Sequence, residues 1–214
     1  APHLLQKALR DVLGTHVEQA GSYVSADRLR FDFTHFQAMT PEEIKKVEDI
    51  VNEKIFEAID INISQKTLDE ARKEGAMALF GEKYGQIVRV VNMGGYSVEL
   101  CGGAHLKNTA QIGSFKIISE NGIAAGVRRI EALTGEGALK HYQAQETQLK
   151  DVCSVLKTTP DNMLKRLSDV VKEQKELSKE VGRLKSKLAG GAVEEIIKTC
   201  EEINGVKAVF AKID

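Results

Sequence analysis

The chain changes character at Gly135, and that change divides what it can fold into. On the N-terminal side, glycines break up short apolar and alternating runs. On the C-terminal side, helix formers and charges dominate to about Leu188, interrupted at Thr158-Thr-Pro160. There a capping threonine and a proline at the first helical position mark the start of a new helix. Past that break, Leu167, Val170, Gln174, Leu177, Val181, Leu184 and Leu188 recur at alternating spacings of three and four, with Lys and Glu between them. This is a heptad seam, expected to pair with the preceding helix or with a second chain through the 160–189 helix. Gly190-Gly191 reads as a hinge, Ala192–Ile203 as another helix, and Val206–Ile213 as a strand whose partners are not in this chain.

The first 134 residues read as one α+β domain with a mainly antiparallel sheet. His3–Leu13 has apolar residues at helical spacing and stops at Gly14. Val17–Val24 and Leu29–Phe33 alternate as strands. Thr40-Pro-Glu-Glu43 is a helix start, with Thr40 capping, Pro41 at the first position and Glu43 completing a capping box. The stripe of Ile44, Val47, Val51, Ile55 and Ala58 turns this helix towards the sheet. Ile59–Ile63 reads as a strand, Thr67–Glu70 opens a short helix ending near Gly75, and Ile87–Met93, Ser97–Cys101, Ser114–Ser119 and Gly126–Leu133 read as further strands.

Chemistry concentrates in Val98-Glu-Leu-Cys101-Gly-Gly-Ala-His105, where a β-prone run ends in a thiol and an imidazole follows four residues later. Thiolate and neutral imidazole are common zinc ligands. Gly102 and Gly103 permit a tight turn, with positive φ available, that aims both side chains at one ion. Zinc needs at least three protein ligands, and His3 is the obvious third. The pair alone fits a buried thiol at a strand end followed by a turn equally well.

Composition narrows the setting. The content of 42% hydrophobic and 29% charged residues is that of a soluble globular protein of one or two domains. No window approaches the ~18 uninterrupted apolar residues of a membrane span, and no apolar leader precedes the first helix, so a cytoplasmic protein without a membrane partner is expected. Cys101, Cys153 and Cys200 are odd in number and widely spaced, which argues against a disulfide framework. A net charge of −1 gives no global attraction to nucleic acid, so a polyanion must be met by a local basic patch.

Five segments in series, APHLLQKALRDVLGTHVEQAGSYV, RLRFDFTHF, GAMALFGEKYG, VELCGGAH and AAGVRRIEALTGEGA, resemble the editing domain of bacterial alanyl-tRNA synthetases. The helical stretch after them resembles the segment that joins this domain to the C-terminal domain. The resemblance implies a threonyl/alanyl editing-type α+β fold. It also implies an editing domain over residues 1–134, a helical linker or coiled coil over 135–189, and the truncated start of a C-terminal domain over 190–214. The implied activity is hydrolysis of tRNA(Ala) mischarged with serine or glycine, with the tRNA 3′ acceptor end as partner. Regions upstream of Ala1 would carry the ATP-dependent ligation of alanine. The rival readings are a non-catalytic tRNA-binding tether and a free-standing alanyl-tRNA editing protein.

In that family the metal site is built from an HxxxH pair on a helix and a CxxxH pair after a strand. The resemblance assigns His3, Cys101 and His105 as zinc ligands and places Gln19 on the pocket that reads the misattached amino acid. Arg128 and Arg129 are placed to hold a phosphate or the terminal adenosine. Their alternation along a strand leaves at most one for tRNA, the other pairing with a carboxylate. His35 is expected to be structural, and His16 and His141 solvated. The family's first histidine would fall just before Ala1, Pro2 stands where the family has threonine, and Ala104 where it usually has threonine. These departures lead to an expectation of weakened metal binding and little editing by this chain.

Overall fold

The computed structural model describes residues 1–77, 85–198, 200–203 and 205–208. Most of the GAMALFGEKYG segment and the last five positions of the expected C-terminal strand lie outside the described residues. The chain forms two compact units, Ala1–Gln145 and Glu146–Asp214.

The first unit opens with α1 (Pro2–Leu13), whose apolar stripe buries Leu4, Leu5, Ala8 and Leu9 and which is capped by Gly14 at φ 117. Next come β1 (Gln19–Val24), β2 (Leu29–Thr34) and α2 (Pro41–Phe56), the last started by the expected Thr40/Glu43 capping box. They are followed by β3 (Ile61–Thr67) and α3 (Leu68–Lys73), where Thr67 and Glu70 form a second capping box. The rest of the unit is β4 (Ile87–Met93), β5 (Ser97–Leu100), a 3-10 turn at Thr109–Ile112, β6 (Phe115–Ala124), β7 (Val127–Thr134) and the first part of α4 (Gly135–Leu156).

The antiparallel pairing is as read, but the strands divide between two sheets, β1-β2-β7-β6 and β3-β4-β5. The main core lies between α1, α2 and the inner faces of both sheets, with Phe31, Phe33, Val47, Val51, Phe115 and Ile130 at its centre. A smaller core of Ala71, Val88, Val90 and Leu100 sits beneath α3 on the other face of the three-stranded sheet. This explains why β4 is a near-continuous apolar run. Val88 and Val90 serve the small core, while Val91 and Met93 serve the large one. The same alternation puts Ser97, Glu99 and the following Cys101 on the face of β5 turned towards the main core.

The second unit holds the end of α4, a 3-10 turn at Pro160–Asn162 with Thr159 at its N-cap position but no side-chain cap bond, and α5 (Met163–Lys198). Helix α5 runs straight through Gly190-Gly191, which corrects the expected hinge. Helix formers on both sides carry the pair at a cost of about 1 kcal/mol per glycine. It ends at Lys198, short of the expected Ile203. Glu201–Ile203 is instead β8, which pairs antiparallel with β9 (Val206–Ala208), so the described part of the last strand does find a partner in this chain. Within this unit, the seam residues Leu167, Leu177, Val181, Leu184 and Leu188 are exposed on α5. Among the described residues no helix is long and apolar enough to cross a membrane.

Candidate metal centre

Two segments a hundred residues apart in sequence supply the site. The first turn of α1 presents His3. The end of β5 presents Cys101, and the loop after it returns His105. The nitrogen and sulfur donor atoms of the three all lie within 4.8 Å of one another. His3 Nε2 is 3.0 Å from His105 Nε2, and the two rings stack with centroids 5.1 Å apart.

The Cys101–His105 loop is held by Arg89 of β4. Its Nη1 donates to the carbonyl of Cys101 at 2.8 Å and to that of Gly103 at 2.6 Å, while the Cys101 N–H donates back to the Arg89 carbonyl at 3.1 Å. Neither Gly102 nor Gly103 adopts positive φ, so the turn does not need the left-handed backbone that the sequence suggested. A Cβ on Gly103 would stand 3.5 Å from Cys101 Sγ, beside the donor set. Burial, followed by the neighbouring His3 ring and Arg89, holds the His105 imidazole below its ordinary pKa and so in the neutral, metal-binding form.

These residues fit a zinc ion. Two imidazole nitrogens on one tetrahedral zinc stand about 3.3 Å apart, so the histidines need to separate by only a few tenths of an ångström. One thiolate and two imidazoles make the three-ligand set that leaves a fourth position open.

The cluster opens on a cavity of about 480 Å³, whose lining includes Gln19, Ser22 and Gln111 as polar groups and Val24, Ile61, Met93 and Ile112 as apolar ones. Gln19 reaches it from the start of β1, where the register with β2 slips between Gln19 and Gly21, a bulge of the kind that re-aims a side chain. Its Nε2 donates to Ser22 Oγ at 3.2 Å. Pro2 and Ala104 line the same cavity.

Arg128 and Arg129 each engage a carboxylate. Arg128 clasps Glu120 through Nε and Nη2, the latter at 2.7 Å, and Arg129 clasps Asp32 through the same pair of nitrogens at 2.7 and 2.8 Å. Both guanidiniums are bidentate to carboxylates, where the sequence reading left at most one for tRNA and paired the other. His16 is not simply solvated either, since its Nε2 lies 2.8 Å from Nδ1 of His35, with the rings stacked. His141 meets Tyr142 edge-on.

The sequence reading missed two neighbours of the cluster. Glu99 contacts His3 Nδ1 through Oε2, and Arg89 clamps the loop. Glu99 was findable in part, because the alternation of Val98-Glu-Leu-Cys101 puts Glu99 and Cys101 on one face.

Residues 88–131 match the family described as the threonyl and alanyl tRNA synthetase second additional domain. The chain is 59% identical over 212 residues to the alanine--tRNA ligase of Acetivibrio thermocellus, an alignment covering 99% of this chain and 24% of that one. It is 53% identical over 214 residues to the alanine--tRNA ligase of Listeria monocytogenes, covering all of this chain and 24% of the relative. Alanine--tRNA ligase 1 of Lachnoclostridium phytofermentans is 51% identical over 213 residues, again across 24% of its length. The chain spans about a quarter of the length of the curated relatives it matches.

Proposed function

We propose that this chain, homologous along its whole length to one segment of bacterial alanine--tRNA ligases, is the region of such a ligase that hydrolyses tRNA(Ala) carrying serine or glycine. The observation that carries the reading is the convergence of His3, Cys101 and His105 on one wall of a cavity that also receives Gln19. At about 480 Å³ the cavity has the size of a small-molecule site, suited to an aminoacyl group and the sugar it is attached to.

The ester between an amino acid and a ribose hydroxyl is already activated. Its hydrolysis needs a placed water, a polarised carbonyl and an acceptor for the leaving hydroxyl. His3, Cys101 and His105 would hold zinc. Bound there, zinc is a Lewis acid for a carbonyl and a ligand for an amine or hydroxyl. Gln19 offers both a donor and an acceptor to the polar atoms of the misattached residue. Val24, Ile61, Met93 and Ile112 keep the remaining wall apolar and exclude competing water. Arg128 and Arg129 are left to hold the sheet rather than the tRNA, since each is already paired. The partner is the acceptor end of tRNA(Ala) and the compartment the cytoplasm. ATP-dependent ligation belongs to the remainder of the ligase. Helix α5 tethers the C-terminal region of that ligase, with its seam open to a second copy.

A second reading, a tRNA-binding tether without catalysis, draws on Pro2 and Ala104, which bring no hydroxyl to the cavity. Serine release from Ser-tRNA(Ala), measured at saturating zinc, separates the two. Release above the buffer rate that is abolished by His105→Ala supports editing. Binding of the tRNA with no release of serine supports the tether.

A further inference from the structure

Glu99 is 2% exposed in the middle of β5, facing α1. Its Oε1 accepts from Ser97 Oγ at 2.9 Å, and its Oε2 meets Nδ1 of His3, 96 residues away in sequence. A buried carboxylate is costly unless its lone pairs are satisfied, and an ionised one can only accept. The nitrogen it faces therefore carries the hydrogen, which leaves His3 Nε2 bare and turned towards His105 and Cys101.

The opposite tautomer of His3 would set a lone pair of Nδ1 against the carboxylate.

We propose that Glu99 is a positioning residue of the metal centre. It accepts the Nδ1–H of His3, fixes the ring and its tautomer, and so presents Nε2 as a preformed ligand for a divalent cation. The inference rests on the metal reading of the cluster. A metal-bound histidine ordinarily hands its other N–H to such a carboxylate, and loss of that partner typically costs 10–100-fold in metal affinity.

The test has two readouts on the full chain, the His3 tautomer by 15N–1H NMR without metal and the affinity for Co²⁺ as the probe ion. The parent is expected to show Nδ1–H, and Glu99→Gln, which keeps an acceptor, to do the same with cobalt affinity within a few-fold. Glu99→Ala is expected to move the hydrogen to Nε2 and to weaken cobalt binding by about 10–100-fold. A parent with the hydrogen on Nε2 overturns the proposal without reference to any variant, which covers the case in which Glu99→Ala fails to fold. Cobalt bound as tightly by a folded Glu99→Ala, with the tautomer unmoved, overturns the role of Glu99 alone. A parent that binds no cobalt overturns the metal reading and the purpose assigned to Glu99, whatever the tautomers show.

Discussion

The side-chain amide of Asn52 on α2 exchanges two hydrogen bonds with the backbone of Phe115, Nδ2 donating to its carbonyl and Oδ1 accepting from its N–H, both at 2.8 Å. Phe115 opens β6, the outermost strand of its sheet, and the next alternate N–H, of Ile117, donates to Glu48 Oε2 at 2.9 Å. Helix α2 thereby completes the ladder of an edge strand with side chains, a way of covering an edge that would otherwise invite pairing.

Asn52→Ala should therefore cost more than its volume suggests. Two backbone groups of a fully buried residue lose their partners, each worth about 1–3 kcal/mol. The expected result is a drop of about 2–6 kcal/mol in denaturant unfolding. A loss within ~0.5 kcal/mol, as for a bland surface site, would contradict the edge-sealing role.

Gly113 lies between the 3-10 turn and β6 at φ 69, and a Cβ there would stand 2.8 Å from the Gly135 Cα. Backbone cannot swing aside as a side chain does. Gly113→Ala should lose at least the ~1–3 kcal/mol of a left-handed non-glycine residue, and more from the collision with the start of α4. Wild-type stability in that variant would contradict the role given to the close approach of Gly113 and Gly135.

Asp32 gives a pH signature. The hydrogen bond from the Arg129 guanidinium holds its carboxyl below the ordinary value of 3.8, with burial opposing. A depressed folded pKa means that the native state prefers the ionised form. The contribution is thus complete above pH about 4 and is lost as pH falls through the lowered folded value. Asp32→Asn should melt below the parent at neutral pH, with the gap closing on acidification beneath pH 4. A gap constant with pH would mean that Asp32 acts through packing and not charge.

The features legible in the sequence were local. Thr40 with Glu43 and Thr67 with Glu70 announce their helices because a capping box is complete within four residues. The extent of β4 was legible from its apolar run and the glycines after it. The division into two sheets was not, because which strand pairs with which depends on the packing of α1 and α2 between them. Gly190-Gly191 misled for the reverse reason, a local breaker overridden by the helix formers around it. At the site, the thiol and imidazoles announced themselves by type and by the family motif. Glu99 and Arg89 did not, because their roles exist only once β4, β5 and α1 meet. The pairing of Arg129 with Asp32 joins residues 97 positions apart, and no spacing along β7 could reveal it.

The first compact unit ends at Gln145, so a chain stopped there is expected to fold alone with its cavity intact. A single cooperative melting transition, with cobalt affinity within a few-fold of the full chain, is the expected outcome. Loss of cooperativity would assign part of that fold to the second unit.

Melting the parent and Cys101→Ala with zinc and with chelator tests the central claim most directly, that His3, Cys101 and His105 form a metal centre. If Cys101 were only an apolar thiol, alanine would cost about 1 kcal/mol and zinc would change nothing. As the only anionic donor of the three-ligand set, its loss instead abolishes the stabilisation that zinc gives the folded state, about 2.7 kcal/mol at a hundredfold excess over the dissociation constant. The account predicts a zinc-dependent rise in the melting temperature of the parent that is absent from Cys101→Ala. Zinc that moves neither protein, or both equally, would contradict it.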